Sequence, residues 1–248
     1  MSYEYQAQVA LKAWQAHISR RPSLGDKLSK AVQTKMNNLI PEKVHRVITK
    51  AIKGMVRSVL FGAQHTTPKT TLFTSLKTTE EAVERRVQFY KKAAAAEGGA
   101  TGAGGFLLSL ADFPILLGMK LKMLFDVAAL YGYDVNDYKE RLYILHIFQL
   151  AFSSKKHRRS VYFEMENWDV KKHLLPNDVH QFDWRNFQQE YRDYIDLAKL
   201  AQLIPGIGAL VGYVVNYRLV NKLGITAMNA YRMRRLPEQE TLGITSGN

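Results

Sequence analysis

The residues of this chain best placed to do chemistry are two acids that border strongly apolar sequence, Asp112 in ADFP and Asp134 in YGYD. A carboxylate buried in such surroundings needs a partner, or its pKa rises until it is neutral. Together with Tyr131 they would make a polar cluster at a ligand or partner groove. The simpler reading is favoured: Asp112 caps a helix that begins near Pro114, and Asp134 closes a turn after Gly132. The seven histidines fall in no HExxH or paired-ligand spacing. His146, inside an apolar helical stretch, reads as a core histidine. No GxSxG elbow and no GxxxxGK[ST] loop occurs, and cysteine is absent, which excludes thiol nucleophiles, thiolate metal sites and disulfides. The expectation is a protein without catalytic residues, metal or cofactor.

Two glycine-rich apolar segments must position whatever those acids do. Gly98, Gly99, Gly102, Gly104 and Gly105 crowd into the first, and Pro205, Gly206, Gly208 and Gly212 interrupt the second. Each glycine inside a helix costs roughly 1 kcal/mol relative to alanine, so the stretches imply close backbone packing or a non-helical chain. An Ala-rich helical stretch rather than a strand precedes the first, which argues against a dinucleotide-binding turn. A shift of 104 residues lays Gly102 on Gly206, Gly104 on Gly208 and Asp112 on Asn216, hinting at a repeated helical hairpin. These residues, with Tyr131 and Asp134, are the groove candidates. The first segment is too short to span a bilayer. The second, uncharged over Leu200–Tyr217, is at the lower limit, and soluble or interfacial placement is preferred.

The remaining sequence follows the helical period, and the fold class expected is all-α. From Glu42 to Ala63 an apolar stripe through Val47, Ile48, Ala51, Ile52, Met55, Val56 and Val59 leaves Lys43, Arg46, Lys50, Lys53 and Arg57 mostly off it. Leu24 to Leu39 forms a second basic amphipathic helix. Core packing is the reading favoured for both, with lipid contact the sharper alternative. Thr79 with Glu80 and Glu81 opens another helix, after a Thr-rich loop from His65. Further on, Pro114 marks a helix start and Gly132 a helix end, with Lys122 paired to Asp126. Arg141 to Phe152 should lie near the centre of the core. Ser153 to Asp178 is the least regular part. Trp184, Phe187, Tyr191, Tyr194 and Ala198 line one side of a later helix. The division expected is an N-terminal helix over 1–21, one helical domain over 22–236 and a disordered tail over 237–248.

Charge points outward to a partner. The chain carries a formal net charge of +13, and from Met1 to Thr78 thirteen Lys or Arg face only Glu4, Asp26 and Glu42. Lys155 to Arg159 and Arg232, Arg234 and Arg235 form two more basic clusters. No helix-turn-helix, RRM or zinc pattern supports nucleic acid. Mean hydropathy of −0.23 argues against a polytopic membrane protein. The N-terminus has no signal-peptide pattern, so a cytoplasmic protein is expected.

The run GGATGAGGFLLSLADFPILL, followed by ALYGYD and the later IPGIGALVGYVVNY, resembles the EcsC family. The likeness extends from about Pro22 to Arg235. It implies a helical bacterial protein whose relatives are often encoded beside the ATPase and membrane subunits of an ABC exporter. The resemblance implies membrane-proximal work and supplies no reaction. The function expected is that of a peripheral membrane-associated accessory protein on the inner face of the cell membrane. Its partners would be an anionic membrane surface, met through Lys43, Arg46, Lys50, Lys53 and Arg57, or a transporter subunit. The alternative is a soluble module that docks a partner helix without lipid.

Overall fold

The computed structural model describes residues 2–20, 42–61, 70, 73–103, 105–153, 157–183, 185, 187 and 209–236. Among these the chain is all-α. The helices are α1 (Tyr3–Ser19), α2 (Glu42–Phe61), α3 (Leu76–Ala103), α4 (Gly105–Leu130), α5 (Tyr138–Phe152), α6 (Arg158–Met165), the single turn α7 (Trp168–Lys171) and α8 (Ala209–Arg235). Two short 3₁₀ turns, Lys172–Leu174 and Val179–Gln181, follow α7.

Polar side chains start these helices where orphan backbone N–H groups need acceptors. Ser2 accepts from the Tyr5 amide at 3.3 Å, Ser75 from Thr78 at 3.2 Å, and Asp137 from Lys139 at 2.9 Å. The helix expected to open at Thr79 therefore begins at Leu76, one turn earlier. At the end of α4, Gly132 takes φ 89°, and the Tyr133 and Gly132 amides close back onto the carbonyls of Ala128 and Ala129. That double closure is a Schellman cap, and its left-handed residue favours glycine.

Side-chain pairs fix the register of the bundle. Tyr90 donates to Asp126 at 2.8 Å and Tyr131 to Glu80 at 3.0 Å, so α3 and α4 form an antiparallel hairpin. Lys91 donates to Asn221 at 2.8 Å and Arg232 to Glu80 at 2.6 Å, so α8 also runs antiparallel to α3. Helices α4 and α8 are consequently parallel, with the Tyr131 and Tyr231 rings stacked at 5.1 Å. The shift of 104 residues carries the end of α4 onto residue 234, one short of the end of α8. Gly206 and Gly208 lie outside the described residues, as do Leu24–Leu39 and, of the later helix, Trp184, Tyr191, Tyr194 and Ala198. Helix α5 is the core element anticipated from its composition, with every side chain except Lys139 and His146 buried.

Pro114 does not start a helix. It lies inside α4, which runs unbroken from Gly105, and Asp112 is therefore an interior helical residue rather than a cap. Proline removes one intrahelical hydrogen bond, a local cost of about 3 kcal/mol. Phe113, Leu116 and Leu117 around it are buried, and that packing keeps the helix going while the proline faces outward. The first glycine cluster is likewise helical: Gly98, Gly99 and Gly102 belong to α3. Ser153 to Asp178, expected to be irregular, contains α6 and α7.

Candidate membrane-facing site

Helix α2 carries three faces that follow from its sequence at ~100° per residue. Ile48, Ile52, Met55, Val56 and Val59 form the buried face, packed toward α4 and α5. Arg46, Lys50, Lys53 and Arg57 recur at i, i+4, i+7 and i+11, and all four are exposed in a single stripe. Among the described residues no carboxylate pairs with Arg46, Lys50 or Arg57. Lys43 belongs to the same helix, and its side chain is outside the described set.

Between the stripe and the buried face lies a third strip, Val47, Ala51, Gly54 and Ser58, which opposes Pro114, Leu117, Gly118 and Leu121 of α4 across a cleft of about 480 Å³. Its walls are apolar, and Lys50 is the one charged residue lining it. Gly54 and Gly118 do not bring the two backbones together. A Cβ built on either one meets no atom within 4 Å. Ile115, next to Pro114, leaves 58% of its surface exposed.

The other groove candidates are distributed differently. Tyr131 is buried and donates to Glu80, which has no exposed surface and also accepts from Tyr3 at 2.5 Å and from Arg232 at 2.6 and 2.7 Å. Asp134 is exposed and accepts from the backbone and side chain of Asn136, both at 2.9 Å, in the turn its sequence suggested. Tyr131 and Asp134 thus have different partners: Tyr131 ties the end of α4 to α3, and Asp134 holds its own turn. Asn216 is buried on α8, where its amide oxygen accepts from Lys120 Nζ at 3.2 Å. Gly102 is an α3 residue, Asp112 an α4 residue whose side chain is outside the described set, and Gly104 lies outside it altogether.

Two further polar features lie between the helices. Lys120 is completely buried, bonded to Asn216 and to the Leu116 carbonyl, and loss of hydration pushes its ammonium down to about 7. The helical spacing Phe113, Leu116, Lys120, Leu124 would have placed it on the inward stripe. The second feature corrects the reading of the last basic cluster. Arg232 and Arg234 are not a basic surface: Arg232 grips Glu80, and Arg234 forks onto Glu140 at 2.6 and 2.7 Å and Asp169 at 2.6 and 2.9 Å. The Arg234 guanidinium also lies 3.8 Å from the Tyr133 ring centroid and 4.7 Å from that of Tyr143. Burial opposes the charge on Asp169, yet the hydrogen bonds from Arg234 and Lys172 outweigh it and hold the carboxyl at about 2. Arg235 remains exposed.

His146 fits the core reading. Its Nδ1 lies 3.3 Å from Gln149 Oε1, its ring meets Trp168 and Phe187 edge-on, and burial lowers its pKa to about 4. Lys122 and Asp126 pair as their spacing predicts, at 2.6 Å. Among the described residues no three potential ligands gather to hold a metal, and no helix is long and apolar enough to cross a membrane.

The EcsC protein family matches residues 6–236 of this all-α chain, and the chain belongs to that family. The match begins inside α1, earlier than the segment from Pro22 that carries the resemblance in sequence. The chain is similar to the protein EcsC of Bacillus subtilis strain 168, 47% identical over 226 residues that cover 91% of this chain and 93% of that one. It is also similar to YdbA of the same organism, an uncharacterised protein, at 29% identity over 86% of each chain. No solved structure matches.

Proposed function

We propose that this protein is a peripheral membrane-associated accessory protein that works at the cytoplasmic face of the membrane, beside an ABC transporter. The observation that carries this reading is the stripe Arg46, Lys50, Lys53 and Arg57, exposed along one edge of an open apolar cleft. Each cation near an anionic leaflet contributes about 1 kcal/mol, so four give reversible attachment without a spanning helix. The attachment weakens with salt because the charges are exposed. Co-sedimentation with phosphatidylglycerol vesicles tests it: binding at low salt, loss at high salt and no binding to phosphatidylcholine are expected. Replacing Lys50 and Arg57 together by Gln should lower the affinity about 30-fold. Vesicles that leave the protein in the supernatant at low salt would refute the reading.

A second reading is favoured by the facing pair Gly54 and Gly118. A cleft lined by small residues on both sides can admit the backbone of a partner helix, which would make the protein a docking module that needs no lipid. Retention of a transporter membrane subunit in detergent, with lipid removed, would favour this reading over the first.

A further inference from the structure

We infer that the cleft between α2 and α4 is a binding site for a single acyl chain of an anionic membrane lipid, with Lys50 meeting the head. The inference rests on the membrane reading above and gives that site a ligand.

Glycine in the middle of a helix is unfavourable unless its missing side chain serves something. At a close helix crossing it serves the neighbouring backbone, but Gly54 and Gly118 have no neighbour within 4 Å of where a Cβ would stand. What the two glycines preserve is width. The resulting space, about 480 Å³, lies within the ~300–1,000 Å³ typical of small-ligand sites. Its walls, Val47, Ala51, Met55, Leu117 and Leu121, offer almost no hydrogen-bonding groups, so the occupant's body is apolar and flexible or slender.

Charge then selects its other end. Lys50 lines the cleft, and Arg46, Lys53 and Arg57 are exposed on the same edge of α2, so the polar end of the occupant is anionic. An apolar chain with an anionic head is an acylated lipid. Pro114 and the exposed Ile115 carry the apolar surface past the mouth of the cleft on the α4 side. That arrangement suits a chain entering from a membrane that the basic edge already faces.

The test uses the full-length protein and two probes, dansylated undecanoic acid in free solution and phosphatidylglycerol vesicles. Wild type should bind the fatty acid saturably at one site, with palmitate as competitor. Gly118→Leu, and separately Gly54→Leu, should weaken that binding about tenfold or more by filling the space with methylenes. Both replace glycine by a better helix former in open space, and circular dichroism should show them folded. Lys50→Gln should weaken the acid about fivefold and leave its methyl ester unchanged. A fatty acid that does not bind, or that binds both leucine variants as it binds wild type, overturns the acyl site even if vesicles sediment the protein. Fatty-acid binding with no vesicle binding keeps the cleft as a chain site and removes the membrane reading.

Discussion

Helices α3 and α8 meet across a glycine, and so do α2 and α4, but the two contacts are opposites. At the first, a Cβ on Gly224 would stand 2.6 Å from Val87 Cγ1, and the pair is closed at one end by Arg232 on buried Glu80. At the second, Gly54 and Gly118 face open space beside a row of exposed cations. The residue type is the same, and its surroundings decide whether it brings helices together or leaves space between them. Helix α4 belongs to both worlds: Gly118 opens to the cleft, and Lys120, two residues on and across the helix, is sealed against α8.

The largest effect should come from breaking the closed side. Arg234→Ala leaves buried Glu140 with no cation closer than Lys172 at 3.9 Å, and urea denaturation should show a loss of roughly 3–5 kcal/mol. Gly224→Ala forces a methyl into Val87, whose branched side chain is stiff, and should cost roughly 1–3 kcal/mol. Lys120 supplies a pH test of the sealed face. Its folded pKa is depressed to about 7 from 10.5, so between those values the unfolded chain holds a proton that the folded chain has released. Stability should therefore climb with pH, by roughly 2 kcal/mol from pH 7 to 9, and Lys120→Met should abolish the climb. The smallest effect has the opposite sign: Gly118→Ala meets nothing and should stabilise by about 0.5–1 kcal/mol in thermal or urea melts. Equal costs at Gly224 and Gly118 would erase the comparison.

Most helices were legible because buried faces write their period into the chain, as α2 and α5 do. Pro114 misled because a local rule about proline was read without the packing of Phe113, Leu116 and Leu117 that overrides it. Arg232 and Arg234 looked like surface charge because their carboxylates stand 152 and 94 positions away. No spacing rule reaches that far. The basic stripe of the candidate site was visible as off-stripe cations. The cleft beside it was not, because its far wall is supplied by another helix.

The separation between Glu80 and Arg232 also governs when this protein can finish folding. A ribosome adding ~5–20 residues per second needs roughly 8–30 s to make the 152 residues between them. Through that interval α3 and α4 can pair, yet Glu80 has no cation to meet, and the groove meant for α8 stands empty. Contacts of such long range belong to slow folding. A chain that stops short of Arg232 never escapes that interval, since both Glu80 and Glu140 then lack the arginines that neutralise them.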